Sequence, residues 1–303
     1  MISVAVAFVA GAAVSAIVWR TLAPVFEHPT LARINVRGMA VPTAGGLVIV
    51  LAVLVPATVL AVWAPLFGWL PDWVPSEATS GWDTVVVAAL GFGLLGLVDD
   101  LLGDGDSRGF RGHLGALASG RATTGAVKLA GGGVLSLYLA GRLALGADVG
   151  AQVFVDAALI ALAANLANLF DRAPGRVTKV ALIVGVALAI AGPSALVASL
   201  DEGIALPPVA PAFVLGAALG LLVPDLRERV MLGDTGANVI GAVLGVGAVA
   251  ALGEGSRVGI LVVLVALNLA SEKVSFSRVI AATPGLSHLD RLGRIRETEP
   301  DRD

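Results

Sequence analysis

At 303 residues, with 57% of side chains hydrophobic, only 14% charged and a mean hydropathy of +0.90, the chain lies far from soluble proteins, in which about a quarter of residues carry charge. That composition excludes a water-soluble enzyme and leaves an integral membrane protein. The absence of cysteine removes disulfides, thiol nucleophiles and thiolate metal sites, and a net charge of -3 gives no basis for a nucleic-acid partner.

Hydrophobic runs predict nine spanning segments, at about 2-19, 45-64, 84-98, 125-141, 152-169, 179-192, 209-223, 236-252 and 257-270. No basic stretch follows Met1, so the first run reads as an anchor rather than a cleaved signal. The connecting loops alternate in character. Those at 20-44, 99-124, 170-178 and 224-235, with the tail 271-303, hold 18 of the 20 Lys and Arg residues when Lys128 and Lys179 are grouped with the loops they adjoin. The positive-inside rule then places this set in the cytosol, with the amino terminus outside and the carboxyl terminus inside a plasma membrane. Trp63, Trp69, Trp73 and Trp82 fall near the opposite face, as an aromatic belt would. Residues 1-270 read as one membrane domain and 271-303 as a cytoplasmic loop and tail.

Every chemically suggestive motif falls on that one predicted face. After the first segment comes NVRGMAVPTAGG, where Thr43 and Gly45-Gly46 lie near Arg37. A hydroxyl and glycines there could approach a phosphate, or simply form a turn and a small-residue packing face. The third segment ends in Asp99 and Asp100, followed by Asp104 and Asp106. Two adjacent carboxylates at the mouth of a membrane helix repel each other unless a cation or proton intervenes, so they point to a metal-phosphate site as readily as to a solvated helix cap. The same loop brings Arg108, Arg111, His113, Arg121 and Lys128, which could bind phosphates or lipid headgroups. Asn165, Asn168 and Asp171 recur at spacing three and so share a helix face, suited to a substrate or to hydrogen bonds between helices. Gly233-Asp234-Thr235-Gly236 opens the eighth segment, where backbone N-H groups favour an anion and Asp234 would otherwise read as a helix cap. Asp156 and Asn268 lie within spans as structural partners.

Taken in order, VPTAGG, GLVDD, NLANLFD and MLGDTGAN resemble the four motifs of the polyprenyl-phosphate N-acetylhexosamine-1-phosphate transferase superfamily. The resemblance runs from about Asn35 to Asn238. It implies an all-α, polytopic transmembrane bundle of nine to ten helices with a cytosolic-face active site. It implies a Mg²⁺-dependent transfer of a sugar-1-phosphate from a UDP-sugar to a polyprenyl phosphate, with release of UMP, in cell-envelope polymer synthesis. Carried onto this chain, Asp99, Asp100 and Asp234 would be catalytic, with Asp234 and Asp99 on the metal. Thr43, Lys128, Asn165, Asn168, Asp171, Arg291 and Arg294 would bind substrate. The expected partners are the membrane, the lipid phosphate and the nucleotide sugar, with no nucleic acid; a homodimer is left open. The chain departs from the pattern at Pro174, where the family has a second aspartate, and at Gly103-Asp104, where a lysine is common. The tail also carries His288 where the family has a histidine cluster, with Lys273, Arg278, Arg291 and Arg294 nearby. These departures argue against a UDP-MurNAc-pentapeptide donor and favour a smaller UDP-N-acetylhexosamine. They also keep open a catalytically degenerate relative that binds lipid phosphate or nucleotide sugar as a regulator. A transporter is disfavoured because the acids cluster on one face rather than near the midplane.

Overall fold

The computed structural model of the chain describes residues 2–67, 78–103, 124–144, 150–199 and 208–295. Each of the nine expected segments coincides with a long helix: α1 (Ile2–Phe26), α2 (Leu47–Phe67), α3 (Ala78–Leu102), α4 (Thr124–Leu143), α5 (Gln152–Phe170), α6 (Arg176–Ser199), α7 (Val209–Leu226), α8 (Gly233–Ala251) and α9 (Glu254–Ser271). Six of them, α1, α3, α5, α7, α8 and α9, are long and apolar enough to cross a membrane, and Leu47–Trp63 forms a shorter apolar stretch. The protein is therefore an all-helical, multi-pass membrane bundle. Two short helices close the described chain, α10 (Phe276–Ala282) and α11 (Pro284–Arg291). The loop after α1 holds a small antiparallel hairpin, β1 (Ala32–Ile34) with β2 (Ala40–Pro42), which pairs Arg33 with Val41.

Burial separates centre from rim. The apolar stretch of α8 is 72% buried and packs against α3, α5 and α6, whereas that of α9 is 6% buried and leans mainly on α5. Lipid hydrocarbon provides no hydrophobic drive to bring helices together, so close approach depends on small side chains. A Cβ on Gly46 would sit 2.0 Å from the backbone nitrogen of Gly236, and one on Gly96 would sit 2.3 Å from the carbonyl oxygen of Asp234. These two glycines let the start of α2 and the end of α3 touch the start of α8. The glycines of the PTAGG stretch therefore act in packing, and the amides of Gly45 and Gly46 are spent on the carbonyls of Met231 and Leu232, at 2.9 and 2.8 Å.

Trp82 departs from the expected aromatic belt. It is buried and meets Phe213 of α7 edge-on with ring centroids 5.2 Å apart, because the first described turns of α3 pack inward against α7. Trp69 and Trp73 lie outside the described residues, as do Asp104, Asp106, Arg108, Arg111, His113 and Arg121.

Candidate active site

The four motif loops meet at the amino-terminal end of α8. α3 runs past its apolar stretch to Leu102 because Arg33, from the hairpin, donates to the carbonyl oxygens of Asp100 and Leu101 at 2.9 and 3.1 Å, satisfying groups that a helix end leaves open. That cap fixes the Asp99-Asp100 doublet, whose two members do different things.

Asp100 is enclosed by donors. Its carboxylate accepts from the hydroxyl of Thr43 at 3.1 Å, from the backbone N-H of Asp234 at 3.0 Å, and from both the backbone N-H and the hydroxyl of Thr235, at 3.0 and 2.6 Å. A carboxylate has about four acceptor sites, and here all are filled. Asp100 thus anchors the first turn of α8, compensating its open amides with negative charge, and Thr43, itself buried, serves the same anchor.

Asp99 faces the other way. Its carboxylate comes within hydrogen-bonding range of that of Asp234 and of the Thr124 hydroxyl. Lys128, from the first turns of α4, hydrogen-bonds Asp234 and lies 3.6 Å from Asp99. Asn168, at the end of α5, donates to Asp234 at 3.1 Å. The result is two carboxylates from separate helices, partly offset by one ammonium and oriented by one amide, at roughly a quarter side-chain exposure. Asn238, one turn along α8, is buried, and its amide nitrogen has no hydrogen-bond partner among the described residues.

Asp171 caps the carboxyl-terminal end of α5 and accepts from the backbone N-H of Gly233. Burial, followed by the charges of Asp225, Asp234 and Asp100, pushes its carboxyl well above the ordinary range. Asn165, on the same helix face, turns away from this group and donates to Asn268 of α9 at 2.6 Å, the interhelical alternative for that residue. Asp156 and Arg257 pair at 2.6 Å near the opposite end of the bundle, as structural partners do.

The segment after α9 folds back onto the loop behind Asp171. Arg176 makes a two-pronged contact with Asp290, at 2.7 and 3.0 Å, and Lys179 donates to the carbonyls of Leu289 and Asp290. Arg294 is held by Asp290 at 2.6 Å and by the carbonyl of Pro174 at 3.0 Å, while Phe276 stacks on Phe170. Burial works to raise the Asp290 carboxyl, but the Arg176 contact and the nearby charges outweigh it and hold the group below the usual carboxylate range. Arg294 therefore acts as a strut beside the site. Arg291, in the last turn of α11, is exposed.

Several residues that matter here carry no motif signal. Arg33 caps α3, Glu228 gathers Arg37 and Asn35 at 2.7 and 2.6 Å, and Asp225 accepts from the Gly175 amide at 2.8 Å. Asp225 could have been suspected, because an acid directly after Pro224 closes an otherwise apolar run.

Among the described residues no three His, Asp or Glu side chains converge as a complete metal cage. Two carboxylates on separate elements are nevertheless what a Mg²⁺ ion needs when it retains waters and shares substrate phosphates. Asp99 and Asp234 fit that requirement; Asp100, already full, does not.

No family model matches the chain. Among curated proteins it is 26% identical over 278 residues to the phospho-N-acetylmuramoyl-pentapeptide-transferase of Shouchella clausii (strain KSM-K16), an alignment covering 83% of this chain and 75% of that protein. The ordered motifs, the helical membrane bundle and this relative agree on one level of kinship: the chain is related to the polyprenyl-phosphate N-acetylhexosamine-1-phosphate transferase superfamily.

Proposed function

We propose that the protein transfers a sugar-1-phosphate from a UDP-sugar to a polyprenyl phosphate, releasing UMP, in the synthesis of a cell-envelope polymer. In that reaction a phosphate oxygen of the lipid bonds to the sugar-linked phosphorus, and the bond from that phosphorus to the oxygen leaving with UMP breaks. The observation that carries the reading is the Asp99-Asp234 pair, bridged by Lys128 and oriented by Asn168. A prenyl phosphate is already largely ionised at neutral pH, so positioning and charge neutralisation are the main tasks. Mg²⁺ held by Asp99 and Asp234 would neutralise the diphosphate. Lys128 would move from bridging the carboxylates to contacting a phosphate oxygen, Asn168 would keep Asp234 aimed, and Asp100 would hold the first turn of α8 in place.

The lipid half of the reading has separate support. An apolar cavity of about 150 Å³ opens between α5, α6, α8 and α9, from Leu188 and Ala248 to Phe170 and Val177. An apolar cavity of that size accepts a benzene ring, so it has room for roughly one isoprene unit. For the donor, the tail carries the single His288 where the resemblance implies a histidine cluster, and Arg cannot reproduce a group that titrates near neutral pH. We therefore assign a UDP-N-acetylhexosamine rather than UDP-MurNAc-pentapeptide. Arg294 would reach the donor only by leaving Asp290, and Arg291 is exposed and hydrogen-bonded to no site residue among those described.

The site would face the cytosol. The test is UMP release by purified protein from a panel of UDP-sugars with undecaprenyl phosphate and Mg²⁺. Turnover should disappear in Asp234→Asn and fall steeply in Asp99→Asn, with the bundle still folded. Efficient use of UDP-MurNAc-pentapeptide would refute the donor assignment. A second reading, a regulator that binds lipid phosphate or nucleotide sugar without turnover, is favoured by the engagement of Arg294 with Asp290 and Pro174; saturable binding with no UMP release would establish it.

A further inference from the structure

The segment from Lys273 to Ile295 has two faces, and only one is used within the protein. Its inward face carries Asp290, whose side chain is 10% exposed and gripped by Arg176 and Arg294, together with Phe276 on Phe170. Its outward face is apolar and open: Leu286, Leu289 and Leu292 recur every third residue and are 47%, 38% and 56% exposed. These exposed leucines, with Val274, Val279 and Ile295 also exposed on the same segment, are not placed there by packing, since none of them joins the bundle core.

We propose that this outward face is seated in the headgroup-acyl boundary of an anionic bilayer, so that the segment forms a strap between the membrane surface and the Asp171 loop. Two observations select lipid as the occupant. The segment follows α9 in the chain, whose Val262, Val263 and Leu269 are exposed on a helix fit to cross the membrane, so it starts from the end of an element that hydrocarbon would cover. Its exposed side chains also include Lys273, Arg278 and Arg291, while Asp290 is turned inward. Outward cations beside outward leucines complement a phosphate-bearing surface, the pattern of an interfacial amphipathic segment. The inference concerns how the segment is held and does not depend on the transfer reaction.

The chain has no cysteine, so single cysteines carry an environment-sensitive fluorophore to one place each. The full chain, reconstituted in nanodiscs of phosphatidylcholine with or without phosphatidylglycerol, would be labelled at Leu289→Cys or Leu292→Cys. Val263→Cys serves as the lipid reference and Arg172→Cys as the aqueous one. With a doxyl quencher placed near the acyl carbonyls, the two leucine positions should be quenched at least about twofold more than Arg172. Phosphatidylglycerol should deepen that quenching, and the combined Lys273→Gln, Arg278→Gln and Arg291→Gln variant should abolish the gain. Quenching no greater than at Arg172 would overturn the proposal. So would a blue-shifted probe that lipid does not quench, because a protein surface such as a second copy would then be the cover. Hydrogen exchange of the unlabelled chain over residues 284–292 guards against disturbance by the label. Protection should be greater with phosphatidylglycerol, and equal protection in both bilayers counts against the strap.

Discussion

Replacing Asp100 tests whether the second member of the doublet is an anchor or a reagent. Its carboxylate takes four hydrogen bonds, two of them from the backbone amides that open α8. In Asp100→Asn the threonine hydroxyl on the side of the new NH₂ can rotate and accept from it while the other still donates to the remaining oxygen, but the backbone N-H on the NH₂ side loses its partner. An unsatisfied buried donor costs about 1–3 kcal/mol, and the remaining bonds lose their charge assistance, so the loss should total about 2–4 kcal/mol. Against a total stability on the order of 5–15 kcal/mol, that is a large fraction. Asp99→Asn provides the contrast, since its amide can donate to Asp234 and its oxygen can still accept from Thr124, so no buried backbone donor is orphaned and stability should change little. Thermal unfolding in detergent, followed by circular dichroism, separates the two. Asp100→Asn should unfold well below the parent protein and Asp99→Asn should not. If Asp100→Asn were as stable as the parent yet inactive, Asp100 would be a group aimed at substrate and the anchor argument would be wrong.

Gly46→Ala should prevent normal folding, because its Cβ would meet backbone at 2.0 Å on a side that cannot move without shifting α8, whereas Gly133→Ala, with nothing within 4 Å, should be silent; equal unfolding temperatures for the two would contradict the packing described. The Arg176-Asp290 contact carries a defined pH dependence. A carboxyl held below its ordinary value adds stability above the unfolded pKa, about 3.9, and loses it as pH falls through the lowered folded value. The difference in hydrogen exchange between the parent and Asp290→Asn over residues 276–294, which isolates this contact, should therefore be flat between about pH 8 and 5. Asp290→Asn should raise exchange uniformly across that range, and a parent protein that loosens between those limits would show that another group holds the strap.

Much of the architecture was legible because hydropathy reports what a bilayer demands. All nine apolar runs are helices, and the four motif loops converge at one end as their shared face requires. The ends of the helices were not legible. α3 begins six residues before its apolar run and carries the doublet inside its last turn, because helix continuation there depends on the Arg33 cap, a contact 67 residues distant in sequence. The Asn165-Asn168-Asp171 face was read correctly as a face, but three neighbouring side chains can serve three partners. One reaches α9, one reaches Asp234 and one takes the Gly233 amide, a division made by packing rather than spacing. The hairpin was read as loop because three-residue strands offer too little alternation to detect.

The anchor at Asp100 also sets an order of assembly. Its amide donors stand 134 and 135 residues later in the chain, so α4, α5, α6 and α7 must all emerge during synthesis before α8 arrives to receive it. Through that interval the doublet has no amide cradle, and water at the membrane surface must solvate both charges. Insertion of α8 therefore exchanges hydration for three further protein donors in one event, joining the Thr43 hydroxyl already made, and a nascent chain halted before Gly233 would carry its acids without that cradle at the bilayer edge.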